Sequence, residues 1–496
     1  MASSRPLLVN DDDDENSILD LEDGGEKSIK PTHSPFRNFL SSSKGFLFSL
    51  FFALLPSFIQ PLLRRHTISK PEPSVAKPER NNALEYLTGV RGVASVIVFI
   101  YHWTHGLFHD SMDHAYGDTN TNSDGSPSSN SELHNHILQL PPLRLLYAAE
   151  AMVALFFIVS GYVLSYRPIQ DMNVKPATNK STTTLSSLAF RRFPRLFLPA
   201  LALVLLAFLA QLTGALKTPT TTLLTFLHSF LITGIWTWTT FPDNTWSLSP
   251  HLWTVPTEFR CSMVLFALLL TVSQRTLLVR FGIEVGVVGW CMGAGRWDVA
   301  LFVAGAVMAE LRVRREVRLQ AREMERTGEE ENRNWQCTMW KSIRTTALLS
   351  TLITGLLLAC YPPIPPSLDT PIFGPLSHLT SSRSESRRTI YAISALLILS
   401  SLDNLPGLQK IFNTRIVQYM GRISYALYLV HGLLIRVVGQ RVLDGVWKAA
   451  AGGGWGAGDG VKFGIASAVV VPVVVWGADL FERGVERRCV VWARRL

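Results

Sequence analysis

The stretch "RGVASVIVFIYH", residues 91–102, places an arginine and a histidine at the two ends of an apolar segment. Eleven helical steps of about 100° bring Arg91 and His102 to one helix face, roughly 16 Å apart along the axis. Ionisable side chains inside membrane segments are costly and usually face a protein interior or a watery cavity. The stretch therefore predicts a membrane helix with one functional face.

The composition of the whole chain fits this interpretation. Hydrophobic residues make up 47% of the 496 residues and charged residues only 17%, below the ~25% usual in soluble domains. The formal net charge is +9, and the basic residues cluster beside apolar segments, as they do in cytoplasmic loops. We therefore expect an all-α, polytopic transmembrane helical bundle whose partner is the lipid bilayer, with no nucleic-acid partner.

Repeated apolar segments predict about ten membrane spans. They lie near residues 86–108, 145–166, 196–214, 252–272, 277–295, 297–312, 343–361, 388–404, 416–438 and 462–481. The segment 45–63 is apolar but interrupted by two prolines, so it either spans or forms an interfacial or re-entrant helix. Residues 222–240 are expected to dip into the membrane without crossing it.

Charge and composition divide the chain into three parts. Residues 1–82 are expected to form a disordered cytoplasmic tail that contains the segment 45–63. Residues 83–485 form the predicted membrane domain, and residues 486–496 a basic cytoplasmic tail. Ten spans place "RVRREVR", residues 312–318, inside, and the loop 109–144, which has little positive charge, outside. Both termini are then cytoplasmic. We expect the protein in an endomembrane or the plasma membrane.

Several further segments carry residues suited to chemistry. In "FFIVSGY", Ser160 and Gly161 allow a neighbouring helix or a ligand to approach the backbone. In "RRFPR", Arg192 and Arg195 at i, i+3 are either a topology signal or a phosphate site beside a helix N-terminus. Guanidinium groups suit phosphate oxygens, such as those of coenzyme A.

Two apolar spans carry a further titratable group each. Glu258 needs a partner or a function at membrane depth, and a structural pair with Arg260 or Arg91 is the alternative to a functional role. His431, in "GRISYALYLVHG", is either a hydrogen-bonded core group or part of a site.

A metal site is the weaker interpretation of the histidines that follow His102. His102, His105 and His109 recur at i, i+3 and i+7, with Asp110 and Asp113 beyond, a spacing that zinc tolerates. His105 and His109 lie near the end of the span, where the helix leaves the membrane and polar, hydrated side chains are expected without a metal. The five cysteines are widely spaced and indicate neither a disulfide framework nor a metal site. We therefore predict no metal.

These segments, in this order, resemble the acyltransferase-3 family of integral membrane acyltransferases. "YLTGVRGVASVIVFIYH" is similar to the first-helix motif of the family, "FFIVSGY" to its FFxxSGF, "RRFPR" to its RxxR and "SYALYLVHG" to its SYxLYLxH. The family's WSLxxEW pattern fits "WTVPTEF", in which Glu258 follows Trp253 by five residues. The earlier "WSLSPH" matches the letters better but has His251 in the position of the acid, so we assign the motif to Glu258. The resemblance runs from residue 86 to about residue 438 and departs from the family motifs at Tyr162 and Phe259. The sequence as a whole resembles the fungal members of the family.

The resemblance implies a function for each of these residues. His102 resembles the essential histidine, acting as general base or transient acyl carrier, and Arg91 its motif partner that orients it or binds the donor. Arg192 and Arg195 would bind the phosphates of acyl-CoA, and Glu258 would position the acceptor or tune His102. Family members move an acyl group, often acetyl, onto a hydroxyl of a carbohydrate, lipid or small molecule. No permanently bound cofactor is implied, since acyl-CoA is a co-substrate.

Two other functions fit the same residues. Intramembrane Arg, His and Glu would also serve a polytopic transporter or proton-coupled carrier, but the two halves show neither an internal repeat nor paired broken helices. A catalytically silent membrane scaffold or receptor is the second alternative. The sequence leaves the acceptor, the acyl chain length and the oligomeric state open.

Overall fold

A computed structural model describes residues 55–57, 60, 84–119, 133–174, 180–216, 250–325, 334–380, 384–452 and 458–495. The chain divides into two units, Met1–Ser69 and Lys70–Leu496. In the first, the side chain of Gln60 donates to the carbonyl of Leu55 at 2.9 Å. The remainder of the predicted tail 1–82, most of the segment 45–63 and the predicted dip at 222–240 lie outside the described residues.

Helices form nearly all of the described chain. Those of seven residues or more are α1 Glu85–Asp113, α2 Ala149–Val174, α3 Lys180–Leu212, α4 Thr254–Val272, α5 Leu277–Gly293, α6 Trp297–Glu325, α7 Asn334–Ala359, α8 Gly374–Thr380, α9 Ser384–Asn404, α10 Pro406–Phe412, α11 Arg415–Arg422, α12 Ser424–Leu434, α13 Gln440–Gly452, α14 Asp459–Phe481 and α15 Arg487–Arg495. The predicted all-α bundle is confirmed.

Shorter elements connect these helices. The π-helical turn Ile435–Gly439 joins α12 to α13, and a second one, Glu482–Glu486, joins α14 to α15. Between α1 and α2, the two-residue strands β1 Asp118–Thr119 and β2 Leu133–His134 pair antiparallel, with Asp118 opposite His134. The remaining short pieces are the 3₁₀ turns Ile137–Gln139, Leu145–Tyr147 and Pro250–Trp253 and the single-turn helix Pro141–Arg144.

Six helical stretches of the described chain are long and apolar enough to cross a membrane. They are Ala149–Asn173, Ser181–Leu212, His251–Val272, Ser342–Ala359, Ser424–Ala451 and Asp459–Arg495. Arg387–Asn404 and Pro406–Phe412, bent by 105°, make a seventh if they count as one span.

The other three predicted spans correspond to α1, α5 and α6. All three are helical, but α5 has only 17 residues and α1 and α6 carry several charged or polar side chains. Helix length and composition therefore give six or seven spans, and the count of ten stays a prediction.

A glycine on each of two helices sets the crossing of α2 and α6. A Cβ at Gly161 would overlap the carbonyl of Phe302, and a Cβ at Gly305 would overlap the carbonyl of Ile158. Small residues let helix backbones approach closely in membranes. Gly161 therefore serves helix packing, the first of its two predicted roles.

The carboxylate of Asp403 ties four helices together. It is 4% exposed at the end of α9 and accepts hydrogen bonds from Tyr86 of α1 and Tyr162 of α2, both at 2.9 Å. Nη1 of Arg312, on α6, lies 3.4 Å from the same oxygen. Because a buried carboxylate is costly unless it is paired and hydrogen-bonded, this network fixes the four helices against one another.

Candidate active site

A cleft of about 900 Å³, including its solvent-open mouth, opens between α1, α2, α3, α4 and α12. Its walls combine apolar and aromatic side chains with a small set of charged and hydroxyl groups. The charged and hydroxyl-bearing residues that line it are Arg91, Ser160, Arg192, Arg195, Thr254, Glu258, Ser424, Tyr425, Tyr428 and Glu486. The structure thus brings five predicted site residues, Arg91, Ser160, Arg192, Arg195 and Glu258, to one cleft.

Glu258 is held by two partners on one wall of this cleft. Nη2 of Arg192 lies 2.5 Å from Oε1 of Glu258, and the hydroxyl of Ser160 donates to the same oxygen at 3.1 Å. Nε of Arg192 donates to the hydroxyl of Ser262 at 3.0 Å. Arg192 is 7% exposed, so its guanidinium is committed to α4.

The alternative structural pair of Glu258 with Arg260 or Arg91 is not found among the described contacts, in which Arg192 and Ser160 are its partners. Nη2 of Arg260 lies 2.5 Å from Oδ2 of Asp298 on α6 instead. The physical reason is helix geometry: Glu258 and Arg260 are two residues apart on α4, and residues at i, i+2 do not face each other on a helix. Arg192, on the neighbouring helix α3, reaches the carboxylate.

The expected helix N-terminus beside Arg192 and Arg195 is also wrong. The helix α3 begins at Lys180, so both arginines lie in its interior, together with Pro194 and Pro199. The free backbone N–H groups that attract anions belong to the first turn of a helix, twelve residues before Arg192. Anion binding at this position depends on guanidinium groups alone.

A second set of charges faces the same cleft. Arg195 is exposed, and its charge and that of Arg91 both act on the carboxylate of Glu486. Nε of Arg91 is buried and has no hydrogen-bond partner among the described residues. Glu486 ends the π-helical turn before α15, in the segment predicted as a basic tail, and places one acid among these arginines.

Three histidines from three different elements form a cluster. The ring of His102, on α1, lies 5.1 Å from that of His431 on α12 and 6.1 Å from that of His251, centroid to centroid. The rings of His251 and His431 are 4.4 Å apart. His102 is exposed, whereas His251 is 8% and His431 only 1% exposed. The accessible imidazole of the cluster is therefore that of His102.

Tyr428 separates the cleft from this histidine cluster. Its ring lines the cleft and lies 5.5 Å from the ring of His251 and 6.0 Å from that of His431. Its hydroxyl contacts the hydroxyl of Thr254 at 2.6 Å and donates to the carbonyl of His251. The two groups of polar residues are thus neighbours across one aromatic side chain.

His105 and His109, the two histidines that follow His102 on α1, each contact another side chain of the same helix. Nε2 of His105 lies 3.0 Å from Oδ2 of Asp113, and the ring of His109 lies 6.3 Å from that of His105. Across the part of the chain that the structure describes, no three His, Cys, Asp or Glu side chains are grouped to hold a metal ion.

Three residues of the site were not singled out from the sequence as site residues: His251, Tyr428 and Glu486. His251 lies in "WSLSPHLWTVPTEFR", residues 246–260, and Tyr428 lies in "GRISYALYLVHG", residues 421–432. The sequence signal that could have identified them is a titratable or hydroxyl-bearing side chain within an apolar segment. Glu486 follows the last predicted span, and no sequence signal connects it with Arg91.

Comparison with known proteins finds similarity to acyltransferases throughout. A family described as an acyltransferase domain matches residues 84–479. "Acyltransferase clz18" of Cochliobolus lunatus is 27% identical over 469 residues, 85% of this chain and 97% of that protein. "Acyltransferase R4" of a Phoma species is 27% identical, over 86% of this chain and 98% of that protein. "O-acetyltransferase PaAT-1" of Phomopsis amygdali is 27% identical, over 75% of this chain and 77% of that protein. No solved structure matches the chain.

Proposed function

The chain belongs to the acyltransferase-3 family, and on that premise we propose that it moves an acyl group from acyl-CoA to a hydroxyl group of a second substrate. The single observation that carries the proposal is the exposed imidazole of His102 beside a cleft that holds Arg91, Arg192, Arg195 and Glu258. A nucleophile-activating base next to a cationic pocket is what thioester chemistry with a phosphorylated donor requires.

The donor binds with its phosphates at the mouth of the cleft. Arg91 and Arg195 both line the cleft, Arg195 is exposed, and Nε of Arg91 has no described partner, so the proposal assigns the phosphate oxygens to these two guanidinium groups. Arg192 is occupied by Glu258 and Ser262 and shapes the wall. The long, thin arm of coenzyme A then carries the thioester past Tyr428 to the histidine cluster.

The reaction at His102 follows from the chemistry of a neutral imidazole. Its bare nitrogen takes the proton of the acceptor hydroxyl while the hydroxyl oxygen attacks the thioester carbonyl. The carbon–sulfur bond breaks, and the CoA thiolate leaves and takes up a proton, so an ester and free CoA result. In the two-step alternative, the bare imidazole nitrogen attacks the thioester carbonyl, the carbon–sulfur bond breaks and the CoA thiolate leaves. The acceptor hydroxyl then attacks the acyl-histidine, which gives the ester and the free imidazole, and the hydroxyl proton ends on the CoA thiolate.

The acceptor is a hydroxyl-bearing carbohydrate, lipid or small molecule, and the acyl group is acetyl. The relative from Phomopsis amygdali carries the name O-acetyltransferase, which supports acetyl transfer to oxygen. The chain lies in an endomembrane or the plasma membrane with both termini cytoplasmic, so that acyl-CoA reaches the cleft from the cytoplasm.

The test of this function compares acetylated products in cells with and without the chain. Cells are supplied with isotope-labelled acetate, and polar metabolites, lipids and glycans are searched for labelled acetyl esters. The proposal expects at least one acetyl ester that is present with the wild-type chain and absent with His102→Ala. Identical labelled products from both strains would contradict it.

A further inference from the structure

We propose that His431 is a positioning residue for His102: its Nε2 accepts a hydrogen bond from a ring N–H of His102 and so fixes which nitrogen of His102 is bare. This inference rests on the proposed function, in which His102 is the base or the acyl carrier. A neutral imidazole has one protonated and one bare nitrogen, and only the bare nitrogen accepts a proton or attacks a carbonyl. A residue that selects the tautomer therefore decides whether His102 is competent.

The backbone of α12 determines the tautomer of His431. Its Nδ1 lies 3.1 Å from the carbonyl oxygen of Leu427, and a carbonyl oxygen only accepts, so Nδ1 carries the proton. In the neutral ring, Nε2 is then a bare acceptor. Nε2 is buried and makes no hydrogen bond with any described residue. A buried acceptor without a donor is costly, which favours a donor that can reach it.

His102 is placed to supply that donor. The two ring centres are 5.1 Å apart, and the ring planes are inclined by 32°. An N–H···N hydrogen bond of about 2.9 Å, added to the distance from each nitrogen to its ring centre, requires a separation close to this value. Because His102 is exposed, its ring can rotate about its own side-chain torsions without moving the backbone.

His251 keeps His431 from turning away. Its Nε2 lies 3.2 Å from the carbonyl oxygen of Leu429, which fixes the protonated nitrogen of this ring as well. A Cβ at Gly432 would lie 2.5 Å from Cε1 of His251, so the ring of His251 sits directly on the backbone of α12. With the rings of His251 and His431 only 4.4 Å apart, the base of the cluster is rigid and only His102 is accessible.

This arrangement has the logic of a catalytic base oriented by a third group. In such sites a residue bonded to the far nitrogen of the base holds the correct tautomer, and its replacement slows turnover without removing the base. His431 differs from the usual carboxylate because it is neutral and buried. It therefore orients His102 without adding a negative charge at membrane depth, where charge is costly.

The experiment uses the full-length chain in detergent, with acetyl-CoA as the donor and an extract of the metabolites, lipids and glycans of the expressing cells as the source of acceptor. Release of free CoA thiol is followed for wild type, His102→Ala, His431→Leu and His431→Gln. His134→Leu, in β2 outside the cluster, is the matched control for loss of a histidine. Elution volume and thermal unfolding identify any variant that is not folded.

The positioning role predicts a split between turnover and donor binding. In His431→Leu, kcat falls about 100-fold, while KM for acetyl-CoA stays within about twofold of wild type, because the arginines of the cleft are unchanged. In His431→Gln, whose side-chain carbonyl can accept near the position of Nε2, kcat recovers at least about tenfold relative to His431→Leu. His134→Leu keeps wild-type values.

The outcomes separate this inference from the proposed function. Wild-type turnover in His102→Ala would overturn the role of His102 and, with it, both proposals. Loss of turnover in His102→Ala with wild-type turnover in folded His431→Leu would overturn the positioning role alone. Equal loss in folded His431→Leu and His431→Gln would also overturn it, because a hydrogen-bond acceptor would then make no difference.

Discussion

Nη2 of Arg192 lies 2.5 Å from Oε1 of Glu258 and joins α3 to α4 along one wall of the cleft. Arg192 is 7% exposed and also donates to Ser262. The side chain of Glu258 is 23% exposed, so removal of Arg192 leaves a partly solvated charge and destabilises by less than the about 3–5 kcal/mol of a fully buried pair. The two arginines of the RxxR motif therefore have different environments, since Arg195, one helical turn later, is exposed to the cleft.

This difference predicts different phenotypes for Arg192→Ala and Arg195→Ala. Arg195→Ala should raise KM for acetyl-CoA about ten- to hundredfold, because one charge-assisted hydrogen bond is worth about 1.5–3 kcal/mol. Its thermal unfolding should match wild type. Arg192→Ala, in contrast, should unfold at a lower temperature than wild type, because it breaks the ion pair with Glu258. Thermal unfolding in detergent and donor titrations give both quantities. Equal unfolding temperatures for the two variants, or equal effects on donor and acceptor affinity in Arg195→Ala, would contradict this assignment.

The contact between His251 and Gly432 predicts a specific rescue. Gly432→Ala places a methyl group 2.5 Å from Cε1 of His251, and overpacking of this kind costs about 1–3 kcal/mol. The double variant Gly432→Ala, His251→Ala has room for the methyl group and should lose less stability than the sum of the single variants. Thermal unfolding of the four proteins measures the coupling. Strict additivity would mean that the ring does not press on the α12 backbone.

Sequence reasoning identified most of the charged residues of the cleft because helical periodicity and motif order depend on local sequence. Arg91, Arg195 and Glu258 were named in this way. It did not predict that Arg192 pairs with Glu258 or that His251 contacts His431, since these contacts join elements 66 and 180 residues apart. Only the packing of α3, α4 and α12 fixes them. The helix start at Lys180 was missed because the polar segment 181–187 continues a helix that hydropathy alone does not reveal.

Outside the spans, Asp118 joins two connecting segments and predicts a pH dependence. It accepts hydrogen bonds from the backbone N–H of Ser367 at 3.1 Å and from Thr370 at 3.4 Å, and lies 3.4 Å from Nδ1 of His114. Burial raises the pKa of Asp118, but the hydrogen bonds from His114 and Ser367 outweigh it, and the net pKa lies below its usual value. A carboxyl group with a depressed pKa stabilises the fold above its unfolded pKa.

The contribution of Asp118 is therefore complete at neutral pH and is lost as the pH falls below about 4. Hydrogen exchange of the segment 361–373, corrected for the intrinsic rate, should accelerate in this range. Asp118→Asn keeps an acceptor but has no charge to titrate, so its protection should be lower at neutral pH and should not change through the same range. Parallel loss of protection in wild type and Asp118→Asn would contradict the role of this carboxylate.

The orientation of the chain is tested with single cysteines at Ser126 and Gly328, both outside the described residues. The segment 313–342, which was predicted as a loop but is helical at residues 313–325 and 334–342, is rich in arginine, and the segment 109–144 is not. The positive-inside rule therefore places the two segments on opposite sides of the membrane. An impermeant maleimide added to intact, oriented vesicles should label one position only. Labelling of both from the same side would remove the ten-span arrangement and leave acyl transfer on one side of the membrane possible.

Turnover of purified His102→Ala decides whether His102 carries out acyl transfer from acyl-CoA. The variant should insert and elute like wild type, and its loss of stability should be limited to the hydrogen bond that His102 donates to His431, about 1–3 kcal/mol. Release of free CoA from acetyl-CoA in the presence of acceptor extract should fall about 10²- to 10⁴-fold, the range that a general base contributes. Wild-type turnover in the folded variant would contradict the account.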